Sequence, residues 1–187
     1  MSSEKELMLR GEPYLTNDPE LLLDRRNCRL VCERFNAMSF GETAARRAIL
    51  KELLGEIGED AEVMAPFQCD YGYHISVGAR TFINYGAVIL DGAAVTIGSD
   101  VQIGPSVKLL TPNHPLDHDA RRRGVEMVSP LTIGDGAWLA TGVIRLPGCD
   151  HRRQHRGRRG ERRHQKPAGA APVLREPVPG DPRDLTV

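Results

Sequence analysis

No stretch of 18 apolar residues occurs in the 187-residue chain, so no segment has the length and character of a membrane-spanning helix. The first ten residues, Met1 to Arg10, alternate charges and lack an apolar core segment, so no secretory leader is expected and the cytosol is the expected compartment. Cysteine is scarce. Cys28, Cys32, Cys69 and Cys149 fit no zinc-ligand spacing and suit reduced thiols better than a disulfide framework. Cys28 and Cys32, four residues apart, are open to a redox or metal role, but small buried helix residues are the simpler reading. Net charge is absent as well, with 25 Lys and Arg against 25 Asp and Glu, which argues against a uniformly basic nucleic-acid binder and against an acidic disordered chain. That zero hides an asymmetry: residues 1–148 carry 15 basic and 20 acidic side chains, and 149–187 carry 10 and 5.

Residues 1–60 read as helical. A short charged stretch, Ser3 to Arg10, precedes a turn at Gly11 to Asn17. Asp18 followed by Pro19 has the form of an N-cap with proline at the first helical position, where its missing N–H costs nothing. Leu22, Leu23, Leu30, Val31, Phe35 and Met38 recur at roughly helical spacing with Arg25, Arg26, Arg29 and Arg34 largely off the stripe, which predicts an amphipathic helix docking through those apolar residues. A second helix is expected over Thr43 to Leu54, with Ile49, Leu50, Leu53 and Leu54 on one side and Gly55 as its stop.

From Cys69 glycine sets the pattern. Gly72 and Gly78, then Gly86, Gly92, Gly98 and Gly104, then Gly136, Gly142 and Gly148 each step by six. Val77, Ile83, Ile89 and Val95 keep the same step; after a two-residue slip Ile97, Ile103 and Leu109 continue it, and Ile133 and Leu139 resume it. A helix cannot use this period, because six residues turn it by about 600° and the side chains drift around the axis. Short strands joined by tight turns can, and three such sides close a triangular prism filled by aliphatics, giving a parallel β-helix of about 18 residues per coil. The frame apolar-x-apolar-Gly beginning at Ile75, Val95 and Leu131 supports this reading over a Gly-rich sandwich, which would alternate at period two. Between Leu110 and Pro130 the repeat breaks, and an extruded loop in so regular a solenoid is where chemistry is expected. The domain plan is therefore a helical cap over 1–60, a β-helix over 61–148 with a loop at 111–130, and a tail of different character over 149–187.

The segment Cys69-Asp-Tyr-Gly-Tyr-His-Ile, the loop Asn113-His-Pro-Leu-Asp and the run Ile133-Gly-Asp-Gly-Ala-Trp-Leu, together with the helical cap, resemble the maltose and galactoside O-acetyltransferases of the hexapeptide-repeat superfamily, from Glu4 to Gly148. The resemblance implies a left-handed β-helix and direct transfer of an acetyl group from acetyl-CoA to a sugar hydroxyl. A hydroxyl is a weak nucleophile near neutral pH, so a base must take its proton as it attacks the thioester carbonyl, and an imidazole suits that duty. By resemblance the base is His114, whose neighbours Pro112 and Pro115 restrict the loop backbone. Asn84 and Asp70 match acceptor-binding positions, and Trp138 and Thr141 match positions that contact the coenzyme. Asp91 lies in the acceptor region and reads equally as a turn residue; Met127 reads as an acceptor-side residue or as packing alone. Phe82 stands where some members carry tyrosine, and Gly92 where the galactoside enzymes carry a second aspartate, which leaves the sugar open. Family members are trimers with sites between neighbouring prisms, which implies a homotrimer here. His114 and His118, with His74 as a third, could be read as a zinc set; Pro115 argues against a helix at that pair, and no metal is expected. Arg121 to Arg123 read either as a contact for coenzyme phosphates or as a solvated loop face.

The tail departs from this pattern. Residues 151–166 carry eight Lys and Arg with no hexapeptide period and no aliphatic face. Composition alone describes a basic arm, and a non-catalytic β-helical scaffold whose arm binds nucleic acid is the alternative function. A frameshift near codon 148 accounts for more. Synonymous codons for Cys149 to Lys166 exist that, read one nucleotide later, spell VTIGDNTVVGAGSVVTK, a complete hexapeptide coil ending in a Thr-Lys that matches the family's coenzyme contact. Arg175 to Asp184 can likewise encode GNPCRVIREI, the family's closing stretch. On this reading 149–187 is an out-of-frame segment, and neither nucleic acid nor a membrane is an expected partner.

Overall fold

The computed structural model describes residues 2–147. The tail and its expected frameshift lie outside the described residues.

Ser3 opens the first helix, α1 (Glu4–Leu9), with a reciprocal capping box to Glu6. A two-residue strand, β1 (Tyr14–Leu15), follows. Asp18 then caps α2 (Pro19–Ala37), its carboxylate accepting from the Glu20 and Leu21 amides as the Asp-Pro signal predicts. The face that α2 buries matches the expected stripe only in part: Phe35 is inside and Val31 packs against the core. Leu21, Cys28, Cys32 and Phe35 are inside, whereas Leu22, Leu23 and Leu30 are half exposed. Small thiols at the contact let the helix approach a strand closely, so the phase follows the cysteines and not the leucine count. Helix α3 (Thr43–Leu53) buries Leu50 and Leu53. Gly55 follows it as a close-approach residue, since a Cβ there would lie 2.4 Å from the Tyr73 carbonyl oxygen.

The rest is a three-sided prism. One sheet stacks β2 (Glu56–Ile57), β5 (Ile75–Val77), β8 (Val95–Ile97) and β13 (Leu131–Ile133). A second stacks β3 (Glu62–Val63), β6 (Phe82–Ile83), β9 (Gln102–Ile103) and β14 (Trp138–Leu139), and the third β4 (Phe67–Cys69), β7 (Ala87–Leu90), β10 (Lys108–Leu110) and β15 (Ile144–Arg145). All pairs within these sheets are parallel. The apolar series Val77, Ile83, Ile89, Ile97, Ile103 and Leu109 points inward and is almost wholly buried. The first coil begins at Glu56, inside the segment that composition assigns to the cap.

The coil is longer than 18 residues. Phe67 pairs with Ala87, Ile75 with Val95 and Phe82 with Gln102, a repeat of 20. Inward positions step by six from Val77 to Ile83 to Ile89 and by eight to Ile97, so both extra residues fall at one corner, between the third sheet and the first. The other corners are regular. Asp60, Arg80 and Asp100, one per coil, take left-handed backbone (φ 54°, 55° and 58°), and Gly136 (φ 65°) takes the fourth place in the column. Nearby, Gly78 lets successive coils touch: a Cβ there would meet the Gly98 carbonyl carbon at 2.5 Å.

At the long corner the chain runs out through 70–74, again through 91–94, and then leaves the prism over residues 111–130. That excursion contains β11 (Pro112–Asn113), a short helix α4 (His118–Arg122) and β12 (Val125–Val128), and β12 lies antiparallel between β11 and β1. Helix α2 pins the same corner: Arg25 donates to the Tyr71 hydroxyl at 2.6 Å and to the Thr16 carbonyl, and Tyr73 donates to Asp24 at 2.9 Å.

Candidate active site

Strand pairing at the long corner assembles a His–Glu–Tyr chain from three distant segments. Asn113 opposes Met127 and Tyr14 opposes Glu126 across the small sheet. His114, immediately after β11, therefore projects beside Glu126, its Nε2 3.7 Å from one carboxylate oxygen. The other oxygen accepts a short hydrogen bond from the Tyr14 hydroxyl. The imidazole is 62% exposed and the carboxylate 15%, so the ring can meet a substrate while its partner is sheltered. Burial, and then the contact with Glu126, push the Tyr14 phenol well above its ordinary range, so it stays a proton donor to the carboxylate. A fixed carboxylate beside an imidazole orients the ring and stabilises the imidazolium formed when it takes a proton. The loop braces itself: Asn113 Oδ1 accepts from the His114 amide at 3.0 Å, and Arg121 donates to the carbonyls of Pro115 and Leu116 at 2.8 and 2.6 Å. Arg121 thus holds the loop's own backbone.

Asp70 lies in a pocket with Thr16, Arg25, Tyr71, Gly92 and Glu126. Burial first, and then the Asp91 carboxyl, push it up to about 6, with Arg25 opposing. Asp91 itself is fully buried. Its Oδ1 accepts from the amides of Asp70 and Tyr71 at 3.0 and 2.9 Å, and its backbone carbonyl sits 2.7 Å from His74 Nδ1. Of its two readings the structure favours the turn residue: Asp91 has no surface to offer a sugar and instead fixes the bend that carries Asp70. Met127 is partly buried, on β12 next to Glu126.

Asn84, Phe82, Trp138 and Thr141 come together elsewhere. With Gln102, Gly104 and Pro105 they line a groove of about 440 Å³ on the sheet of β6, β9 and β14. The Trp138 ring is 71% exposed there. An apolar wall with amide and hydroxyl groups along it fits a long, amide-bearing thioester such as acetyl-CoA. Phe82 and Asn84 thus share a groove with the expected coenzyme residues, not with Asp70. In a triangular prism the long corner faces away from this sheet, so one chain does not bring His114 and Trp138 to a common point. A roomier groove, of about 570 Å³ between α3 and residues 59–63, contains none of the expected site residues.

Glu126 and Tyr14 are the site residues that the sequence did not disclose. They meet across 112 positions through antiparallel pairing of the two-residue β1 with β12, and no periodicity marks either. Among the described residues no helix is long and apolar enough to cross a membrane.

Residues 7–58 match the maltose acetyltransferase hexapeptide capping motif. The chain is similar to Nodulation protein L of Rhizobium leguminosarum bv. viciae, 44% identical over 147 residues that make up 78% of this chain and 77% of that protein. Among solved structures it is similar to a maltose O-acetyltransferase from Clostridium difficile 630 (TM-score 0.77, 39% identity, 79% of each chain). It is also similar to a galactoside acetyltransferase in complex with coenzyme A (TM-score 0.75, 30% identity, 79% of this chain and 74% of that one).

Proposed function

Because the chain belongs to the maltose and galactoside O-acetyltransferase family of hexapeptide-repeat, left-handed β-helix proteins, we propose that its long corner carries the chemistry, with His114 as the general base. The activity is transfer of an acetyl group from acetyl-CoA to a sugar hydroxyl. His114 takes the hydroxyl proton as that oxygen bonds to the thioester carbonyl carbon, and returns it to the sulfur as the carbon–sulfur bond breaks. Glu126 orients the ring and offsets its transient charge, and Tyr14 holds Glu126. The observation that carries this reading is the exposed His114 imidazole 3.7 Å from a sheltered carboxylate; proton removal of this kind is worth about 10²–10⁴ in rate.

Asp70 serves as an acceptor contact at the same corner, with Met127 beside it, while Trp138 and Thr141 hold the coenzyme and Phe82 and Asn84 line its groove. The separation of these two groups on one prism supports a homotrimer, in which the groove of one copy faces the His114 corner of the next. A cytosolic location goes with this reading. So does the frameshift: about a fifth of this chain and of its relative lie outside their match.

Incubating the full chain with acetyl-CoA and maltose, glucose or a galactoside, and following thiol release, tests the activity. The expected result is acetylation of at least one sugar, by a species three times the chain mass, and faster when codons from 149 onward are read in the restored frame. No acetylation by either chain overturns the reading, and equal rates overturn the frameshift argument.

A further inference from the structure

Cys28 and Cys32 share one face of α2, and Cys69 ends β4, the strand on which α2 packs. Their sulfurs converge: Cys28 Sγ lies 3.5 Å and Cys32 Sγ 3.7 Å from Cys69 Sγ, and all three are within 4.8 Å of one another. These are free thiols, since a disulfide would bring two sulfurs to about 2.05 Å. Cys28 and Cys32 are buried and Cys69 partly so. An ion in the plane of three sulfurs so spaced and equidistant from them sits no more than about 2.4 Å from each, within reach of a thiolate–metal bond of about 2.3 Å. Among the described residues no His, Asp or Glu joins them to complete a four-ligand set. Three soft donors and no hard one select against four-coordinate zinc and for a d¹⁰ monovalent ion.

We propose that Cys28, Cys32 and Cys69 form a trigonal three-sulfur site for a monovalent thiophilic cation, copper(I). The three thiols release their protons to solvent, three sulfur–copper bonds form, and the copper stays monovalent, so no oxidant or reductant is needed. A cleft lined by Arg29, Cys32, Glu33, Gln68, Cys69 and Asp70 opens on two of the three cysteines and gives the ion an entry path. Arg29 in this cleft offsets part of the negative charge of a filled site, against Glu33 and Asp70. The site is independent of the sugar chemistry, although Cys69 adjoins Asp70.

The test is anaerobic titration of the full, phosphine-reduced chain with copper(I) in competition with bathocuproine disulfonate, followed by X-ray absorption at the copper edge. One copper per chain held against the chelator, with three sulfur neighbours and no nitrogen or oxygen neighbour, is the expected result. Cys69→Ser should weaken retention tenfold or more, and Cys149→Ser should leave it unchanged. Copper stripped completely by the chelator, copper retained equally in urea, a fourth light-atom neighbour, or loss of two hydrogens to a disulfide in place of binding would each overturn the proposal. X-ray absorption on the unsubstituted chain keeps the answer decisive if a cysteine variant does not fold.

Discussion

Two corners of the prism differ from the third, and the difference separates stability from chemistry. At the regular corners one residue per coil turns the chain: at one of them Asp60, Arg80 and Asp100 stack in a column, and the Arg80–Asp100 pair at 2.7 Å is exposed to solvent. At the long corner the coil carries two more residues, and those residues hold Asp70 and Asp91 before the chain departs to present His114. A parallel coil fixes its neighbours through backbone pairing along its sides, so only a corner can lengthen without breaking the ladder. Repeats supply the rigid frame, and the one place where the repeat is relaxed carries Asp70, Asp91 and the loop of His114.

Breaking the frame should cost the most. Ile97→Ala removes a buried side chain from the middle coil, and chemical unfolding should show a loss of about 2–5 kcal/mol. A loss under about 1 kcal/mol would mean that the sides do not carry the fold. Asp70 sharpens the contrast, because at the long corner function is expected to cost stability. Its carboxyl is raised from 3.8 to about 6, so the folded chain disfavours its ionised form: the protonated group costs little below about pH 3.5, and stability is lost as pH rises from about 3.8 to about 6 and is level above that. Asp70→Asn should therefore leave stability unchanged at about pH 3.5 and raise it by up to about 3 kcal/mol at about pH 8. Thermal melts at both pH values check this, and a pH-independent effect would contradict it. Glu126→Gln keeps the shape of the His114 partner and removes its charge; kcat should fall about tenfold, or about 1.4 kcal/mol, with little change in sugar KM. An unchanged kcat would remove Glu126 from the machinery. The smallest effect belongs to a regular corner: Arg80→Ala breaks an exposed pair and should leave both the melting temperature and the rate unchanged.

Much of the frame was legible because a six-residue period has one structural solution, and the loop was legible as the break in that period. The slip between Val95 and Ile97 already held the 20-residue coil, but one slip in a short series does not show that it recurs in every coil; the pairing of Phe67 with Ala87 and Phe82 with Gln102 does. The buried face of α2 is legible only in part: Phe35, Val31 and the two cysteines lie inward as their residue types suggest, whereas Leu22, Leu23 and Leu30 do not, because the packing partner, β4, favours the smaller side chains. His114 could be named from the resemblance of its loop. Glu126 and Tyr14 could not, since their meeting depends on tertiary pairing of segments with no local signal. Nor could the triangle of Cys28, Cys32 and Cys69, whose third member lies on a different element from the first two.

The claim that the long corner holds the base is tested most directly by His114→Ala. Its side chain is mostly exposed, so replacement should leave the melting temperature unchanged while kcat for acetyl transfer falls by about 10²–10⁴. A variant that melts like the parent and transfers acetyl at the parent's rate would contradict the account.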